Sequence, residues 1–315
     1  MTLPSRGPGR RIGVIVGPTA CGKSTLAESL VERCDAEIIS ADALQVYRGL
    51  DIGTAKPNAE AQARYRYHCV DLYSPHERST AGSFAVAARE AVAAVLERDR
   101  LPLLVGGSGF YIEATLGRLD SLPSSDPGWR AALETVAGRR GVTAMHSWLA
   151  RLDPERATVV DRHDRQRTLR ALEIVLRTGR RVAALGAAAT VVEQFEPVFI
   201  GLRWPREELY RRIDERVDQM LRSGWLGEVR CLRREGVGRD LHAMQAIGYR
   251  DLCAVVAGET TIDAVRAKIA RDTRRYAKRQ MTYFRRWPVT WIDLMRGDAA
   301  GDERVVGAAA ALLPR

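Results

Sequence analysis

The segment GPTACGKS, residues 17–24, constrains the fold more than any other part of the sequence. It follows the apolar run RIGVIV and precedes KSTLAESLVERC, in which Leu26, Leu30 and Val31 fall on one helical face. A glycine-rich turn between a strand and a helix surrounds a phosphate with backbone N–H groups and the positive end of the helix. We therefore predict a phosphate-binding loop, whose members are Gly17, Pro18, Thr19, Ala20, Cys21, Gly22, Lys23 and Ser24.

Two side chains of this loop have distinct predicted tasks. Lys23 adds a full positive charge to the N–H groups of the loop. Ser24 offers a hydroxyl oxygen to the Mg²⁺ ion that accompanies phosphates. Kinases, GTPases and motors share such loops, so the loop alone predicts a phosphate ligand and leaves the reaction open.

Alternating strands and helices continue after the loop. AEIISAD and LPLLVGG are typical of buried strands, and FAVAAREAVAAVLERDR between them is typical of a helix. Further on, EPVFIGLRW and VTWIDL predict two more strands, with the long helix PREELYRRIDERVDQMLRSG following the first. The fold class that this order predicts is α/β, a P-loop NTPase-like parallel sheet flanked by helices.

Residues 121–191 break the alternation. They contain no convincing strand, whereas LPSSDPGWRAALETVAG, TAMHSWLARLD and RQRTLRALEIVLRTG all predict helices, the last ending at Gly179. We therefore predict an all-helical insert over 121–191 and a catalytic core formed by 1–120 and 192–315.

Composition restricts the environment and the partners. The net charge of +10 favours a polyanionic partner. The longest apolar runs are too short to cross a membrane, and the basic first residues lack the apolar core of a secretory signal. The five cysteines are widely spaced, which favours reduced thiols in the cytoplasm over disulfides or a zinc site.

Acidic and hydroxyl side chains at strand ends are the next candidates. Many nucleotide hydrolases need a second apolar strand that ends in aspartate, but LPLLVGG ends in glycines. Asp42 instead follows the strand AEIIS, so it is expected at the same sheet edge as the loop. It is either a turn or cap aspartate, or a general base or metal ligand. Ser108, in VGGSGFY, is either a capping serine or a hydroxyl donor to a ligand.

Basic residues form a long one-sided stretch near the C-terminal end. Between Val265 and Trp287 there are nine lysines or arginines and one acid. Spacings of i, i+3, i+4, i+7 and i+8 place several of them on one helical face, which favours contact with nucleic-acid phosphates over a merely solvated surface. The residues of this face are Arg271, Arg274, Arg275, Lys278 and Arg279.

These segments together resemble a known family, the bacterial tRNA dimethylallyltransferases. The resemblance is carried, in order, by GPTACGKST, SADALQVYRGLDIGTAKP, VGGSGFYIEATLGRL, RQRTLRALEI, QAIGYRDL and TRRYAKRQMTYFRRW. The sequence departs from the family at Cys21, where serine is usual, and at Ser108, where threonine is commoner. Neither change removes a group that the chemistry needs.

The resemblance implies a reaction. The loop would hold dimethylallyl diphosphate, and diphosphate would leave as the dimethylallyl group is transferred to N6 of the adenosine 3′-adjacent to the tRNA anticodon. Asp42 would accept the N6 proton, while Lys23, Ser108, Arg216 and Mg²⁺ on Ser24 would stabilise the departing charge. We expect a cytoplasmic monomer.

The resemblance also implies the RNA contacts, with the helical insert gripping the anticodon stem-loop. Outside the basic face, these are Asp42, Ala43, Leu44, Gln45, Ser108, Arg130, Gln166, Arg167, Arg170, Gln245, Gly248, Tyr249, Arg250, Gln280 and Arg285. Three alternatives stay open on the residues alone. They are a P-loop kinase of small molecules, an adenylate isopentenyltransferase, and an RNA-binding protein whose loop only senses nucleotide.

Overall fold

A parallel sheet carries the site. In the computed structural model, which describes residues 10–118, 122–123, 125–186 and 195–313, six parallel strands lie in the order β3-β2-β4-β1-β5-β6. Their bounds are β1 Arg10–Val16, β2 Ala36–Ser40, β3 Tyr67–His68, β4 Leu101–Gly106, β5 Phe195–Arg203 and β6 Thr290–Asp293. The predicted parallel α/β sheet is confirmed. The prediction omitted β3, because two half-buried residues are too short to show a pattern.

The central strand is apolar because both faces of the sheet are covered. Ile12, Val14, Ile15 and Val16 of β1 are fully buried between β4 and β5. The sheet belongs to the first of two compact units, which spans 1–116 and 193–315. The helices of this first unit are α1 Lys23–Cys34, α2 Ala59–Tyr65, α3 Ala81–Leu96, α4 Gly109–Thr115, α10 Arg206–Arg222, α11 Trp225–Arg234, α12 Tyr249–Val256, α13 Ile262–Phe284 and α14 Glu303–Leu312, with a 3₁₀ turn at His242–Gln245.

Hydrophobic residues divide between two cores, one containing Phe84 and Phe284 and the other Leu26 and Val305. The second core includes α14, whose alanine-rich sequence gave no clear helical signal. This helix packs against α1 and buries Val305, Val306 and Ala309, so tertiary contacts specify it more than local pattern does.

A buried carboxylate anchors the sheet at the strand ends opposite the phosphate loop. Glu37 of β2 is fully buried and forms ion pairs with Arg98, Arg100, Arg66 and His68. Burial alone would raise the pKa of Glu37, but hydrogen bonds from Arg98, His68 and Arg100 outweigh it and lower the pKa to about 2. The charged form of Glu37 is therefore part of the folded state.

The second compact unit spans 117–192, close to the predicted insert, and its described part is helical. Its helices are α5 Pro127–Arg140, α6 Val142–Leu152, α7 Pro154–Val159, α8 Arg165–Thr178 and α9 Val182–Gly186. Leu133, Leu149 and Leu172 are buried together in its core. The predicted end of α8 at Gly179 is confirmed, since Gly179 adopts φ 66°, a left-handed conformation that suits glycine.

Candidate active site

One cavity collects the predicted phosphate site and the predicted base. It lies beside the C-terminal ends of β1, β2 and β4 in the first unit, where parallel sheets place their ligands. Lys23, Ser24, Asp42 and Arg216 line it. The other lining residues are Thr19, Ala20, Gly22, Thr25, Ile38, Ser40, Gln45, Thr54, Tyr67, Val105, Gly106, Gly107, Tyr276 and Gln280.

The backbone of the loop turns through left-handed conformations between β1 and α1. Ala20 has φ 64° and Gly22 has φ 98°. At Gly22 a Cβ would stand 2.5 Å from the Cβ of Ala300, so both its conformation and its surroundings require glycine. Lys23 donates from Nζ to the carbonyl oxygens of Gly17 at 3.0 Å and Pro18 at 2.8 Å, which holds its ammonium over the loop.

Side chains from distant elements support the loop from outside. The N–H of Thr19 donates to Oε1 of Gln280 at 2.8 Å, and Gln280 Nε2 donates to the carbonyl of Gly107 at 3.0 Å. Trp204 Nε1 donates to the Cys21 carbonyl, and Arg212 Nε donates to the Ala20 carbonyl, each at 3.0 Å. The loop is thereby shaped before any ligand binds.

Asp42 lies half-buried in the turn after β2. Its Oδ1 accepts the N–H groups of Leu44 at 2.9 Å and Gln45 at 3.3 Å, which orients the carboxylate. Among the described residues, Asp42 makes no ion pair, so its charge is not neutralised by a fixed partner. The carboxylate is available for a ligand in the cavity.

Ser108 and Gln45 frame the same turn. The Ser108 hydroxyl accepts the N–H of Ala43 at 3.0 Å, so it braces the chain beside Asp42. Gln45 accepts from the Ser40 hydroxyl at 2.8 Å and donates from Nε2 to the carbonyl of Thr54 at 3.2 Å. Gln45 therefore lines the cavity in one fixed orientation.

Arg216 is the cation opposite these groups. It projects from α10 into the cavity and forms no hydrogen bond or ion pair within the part of the chain that the structure describes. Burial lowers the pKa of its guanidinium, and the charge of nearby Asp42 acts in the opposite direction. A half-buried arginine without a fixed partner is suited to an anionic ligand.

Tyr276 of α13 lines the cavity as well, and sequence reasoning missed it. Burial, aided by the charge of Asp42, raises the pKa of Tyr276 to about 12, although a hydrogen bond with Ser108 acts to lower it. Its phenol therefore stays protonated at neutral pH. The only sequence signal was its position in the basic stretch RRYAKRQ, where tyrosine is the one aromatic residue.

The predicted basic face of α13 contains both ion-paired and unpaired cations. Arg274 is half-buried and ion-paired with Asp214 of α10, and Arg275 lies 3.6 Å from Asp272. Lys278, Arg279 and Arg285 are exposed and form no ion pair with any described carboxylate. The unpaired cations therefore lie in the C-terminal part of the helix.

Three residues predicted to contact RNA are buried. Gln280 supports the phosphate loop as described above. Tyr249 is fully buried and its hydroxyl donates to Glu228 at 2.6 Å. Gly248 is buried against Trp225, where a Cβ would stand 2.1 Å from the ring. These residues pack the interior, and their contact with RNA stays a prediction. Gln245 and Arg250 on either side are exposed.

In the second unit the predicted contacts are of two kinds. Gln166 and Arg167 are exposed at the start of α8. Arg130 is ion-paired with Glu134 at 3.3 Å. Arg170 is ion-paired at 3.0 Å with Glu173, a carboxylate that is fully buried. Arg170 also donates to the carbonyl of Pro123, which ties α8 to the segment before α5.

The residues that line the cavity show what kind of metal site they could form. No group of three or more histidine, cysteine or acidic side chains with metal-binding geometry occurs in the described ranges. The exposed Ser24 hydroxyl faces the cavity beside the loop, and it would need oxygens from a bound ligand to complete a Mg²⁺ site. The residues fit an ion that arrives with a phosphate ligand.

Two predictions from composition can be compared directly with the structure. All five cysteines, of which Cys21 lies in the loop, carry free thiols. Within the described chain, no helix is both long enough and apolar enough to pass through a bilayer.

The sequence matches two families of prenyl-transferring enzymes. Residues 45–287 match the family described as IPP transferase, and residues 10–71 match the family described as isopentenyl transferase. The tRNA dimethylallyltransferase of Geobacter sulfurreducens is 41% identical over 90% of this chain and 92% of that protein. A tRNA dimethylallyltransferase of Citrifermentans bemidjiense is 44% identical over 87% of this chain and 90% of that protein.

Solved structures agree with this fold. The tRNA isopentenylpyrophosphate transferase of Bacillus halodurans superposes with a TM-score of 0.70 at 36% identity, covering 96% of this chain and 95% of that one. A eukaryotic dimethylallyltransferase acting on tRNA superposes with a TM-score of 0.77 at 24% identity, over 91% of this chain and 74% of that one, and shows the shared fold. On the extent of these matches, the chain belongs to the IPP transferase family, whose bacterial members are tRNA dimethylallyltransferases.

Proposed function

We propose that this chain transfers the dimethylallyl group from dimethylallyl diphosphate to N6 of the adenosine 3′-adjacent to the tRNA anticodon and releases diphosphate. The observation that carries the proposal is one cavity lined by a phosphate loop, an unpaired carboxylate and an unpaired guanidinium. The family supports it, since the relatives described above are named tRNA dimethylallyltransferases. The chain is therefore a prenyltransferase.

The phosphate loop binds the diphosphate, which is the leaving group. As the bond between the allylic C1 carbon and oxygen breaks, negative charge grows on the diphosphate. The N–H groups of the loop, Lys23 and Arg216 are already positioned around that charge, so little reorganisation is needed as it develops. We also assign a donor role to the hydroxyl of Ser108, which is held beside Asp42 by the N–H of Ala43.

Asp42 is the general base. The exocyclic N6 of adenine is a weak nucleophile because its lone pair is shared with the ring. As N6 bonds to C1, its proton passes to the carboxylate of Asp42, whose Oδ1 is held by the N–H groups of Leu44 and Gln45. General-base assistance of this kind contributes about 10²–10⁴-fold in rate.

Mg²⁺ would be held by Ser24 together with the oxygens of the diphosphate. When bound, it neutralises part of the charge on the leaving group. Lys23 and Arg216 supply the protein's own share of that neutralisation.

The tRNA presents its adenine from the anticodon loop. Chemistry at the base edge requires the base to leave its stack, and an unpaired loop nucleotide leaves it at low cost. The exposed cations Lys278, Arg279 and Arg285 bind the RNA backbone beside the cavity. The second unit, with Gln166 and Arg167 exposed, binds the anticodon stem-loop. We further propose that the enzyme acts as a cytoplasmic monomer.

Transfer of label from radioactive dimethylallyl diphosphate tests the proposal. Unmodified tRNA, AMP and ATP serve as parallel acceptors, in reactions with Mg²⁺ and without any other nucleotide. Label on tRNA at the adenosine beside the anticodon supports the proposal. Label on AMP alone would indicate an adenylate isopentenyltransferase, which prenylates free nucleotides. ATP turnover without label would indicate a kinase.

A further inference from the structure

An exposed aromatic ring lies beside the site. Phe110, the second residue of α4, is 55% exposed, whereas Phe84 and Phe284 of the same unit are fully buried. It follows Ser108 by two positions, so its backbone starts at the edge of the proposed site. Single exposed apolar side chains are common, so the surroundings of Phe110 decide whether a ligand covers it.

Tyr283 fixes the position of this ring. The ring centroids of Phe110 and Tyr283 are 5.7 Å apart at an interplanar angle of 40°. Tyr283 donates its hydroxyl to Glu113 of α4, and at Gly109 a Cβ would stand 2.2 Å from its ring. Gly109 therefore allows the close contact of α4 with α13 that places Phe110 against Tyr283.

Tyr283 lies further along α13 from a residue that lines the cavity. Tyr276 lines the cavity, and Tyr283 follows it by seven residues on the same helix. Seven residues make nearly two turns, so the two rings share a face and lie about 10 Å apart along the axis. That spacing suits successive parts of one ligand, with one end in the cavity and the other on Phe110.

The charge around the pair favours a nucleic acid. Arg279 and Arg286, four residues before Tyr283 and three after it, fall on the same side of α13 as Tyr283. Both are exposed and have no carboxylate partner among the residues described. Cations next to an exposed aromatic ring are the combination that binds single-stranded nucleic acid, since the ring stacks on a base and the cations contact phosphates.

We propose that Phe110, backed by Tyr283, is the stacking platform for an unpaired anticodon-loop base that neighbours the acceptor adenosine. This inference rests on the proposed function. It assigns Phe110 as a positioning residue that keeps the loop open while the acceptor base is in the cavity. Any base can stack on the flat face of a ring, so the contact selects an unpaired loop and does not select the identity of the base.

The test compares Phe110→Ala, Phe110→Leu and Phe110→Tyr in the full chain with an anticodon stem-loop RNA. The first readout is KM for the RNA against KM for dimethylallyl diphosphate. Loss of one stacked base corresponds to about 1–3 kcal/mol, so KM for the RNA rises about 5- to 150-fold in Phe110→Ala. Phe110→Leu loses most of this binding because it keeps an apolar side chain but no ring, and Phe110→Tyr retains it. KM for dimethylallyl diphosphate stays within about twofold in all three.

The second readout reports stacking directly. The RNA carries 2-aminopurine at each neighbour of the acceptor in turn, and binding to the wild-type chain quenches its fluorescence at one of the two positions. Phe110→Ala removes this quenching. Val86→Ala, which truncates a similarly exposed apolar side chain (58%) on α3, serves as the matched control and changes neither readout.

Two results separate this inference from the function on which it rests. If the wild-type chain fails to label the RNA, the proposed function fails. If it labels the RNA and Phe110→Ala leaves both KM and the 2-aminopurine signal unchanged, the stacking platform is wrong while the function stands. An equal effect of Val86→Ala would also overturn the assignment.

Discussion

The N–H of Thr19 donates to the side chain of Gln280 at 2.8 Å, although 261 positions separate the two residues in the chain. The other end of the Gln280 amide donates to the carbonyl of Gly107 at 3.0 Å. One buried side chain of α13 thus joins the phosphate loop to the end of β4. The helix that carries the predicted basic face therefore also shapes the phosphate loop.

Gln280→Leu tests this link. The substitution leaves the N–H of Thr19 and the carbonyl of Gly107 without partners, and an unsatisfied polar group costs about 1–3 kcal/mol. We expect KM for dimethylallyl diphosphate to rise about 5- to 100-fold. Gln219→Leu, which changes an exposed glutamine of α10, is the matched control. Unaltered donor kinetics in Gln280→Leu would show that the loop holds its shape without this residue.

Asp42→Asn tests the assignment of the base. Asparagine keeps the size of the side chain and an oxygen that can accept the N–H groups of Leu44 and Gln45, but it cannot take a proton from N6. We expect kcat to fall about 10²–10⁴-fold while both KM values change little. Steady-state kinetics with saturating tRNA measure kcat. A variant with nearly normal kcat would remove Asp42 from the chemistry.

Glu37 makes the fold sensitive to acid. Its folded-state pKa of about 2 lies below the ordinary 4.5, so its contribution to stability is fully present above pH 4.5 and disappears as the pH falls towards 2. A difference of this size corresponds to about 3 kcal/mol. We expect urea unfolding to show Glu37→Gln as less stable than wild type by about that amount at pH 7, with the gap closing by pH 2.5. A gap that persists unchanged at pH 2.5 would contradict this pKa.

The C-terminal cations of α13 predict a salt-dependent effect. Lys278→Ala with Arg285→Ala removes two exposed charges that lack carboxylate partners within the described chain. Each phosphate contact contributes about 0.7–0.9 to the slope of log affinity against log salt, so the slope falls by about 1.5 and affinity for tRNA drops. Arg11→Ala, at the opposite end of β1 and paired with Glu196 at 3.4 Å, is the control. An unchanged slope would show that this part of the helix does not contact RNA phosphates.

Local signals in the sequence were sufficient for the loop and for five of the six strands. The loop is one contiguous segment, and Asp42 and Ser108 directly follow buried strands, so parallel topology brings them to one edge. The periodicity of α13 correctly indicated a helix with a basic face. It could not show that Asp214, 60 positions away, neutralises Arg274.

The remaining parts depend on contacts between distant residues. Gln280 and Trp204 support the loop from elements that only the folded chain brings near, and their roles leave no local pattern. The resemblance assigned Tyr249 to RNA through the motif QAIGYRDL, but its hydroxyl pairs with Glu228 in the interior. The motif located this segment, and the packing distinguishes its buried residues from its exposed ones.

The central claim is that the loop holds a leaving diphosphate while Asp42 takes a proton from the acceptor adenine. Its most direct measurement counts diphosphate released against dimethylallyl-adenosine formed on tRNA, in a reaction with Mg²⁺ and no ATP. We expect one diphosphate for each modified adenosine, with both products lost together in Asp42→Asn. Release of inorganic phosphate, or a strict requirement for ATP, would contradict it.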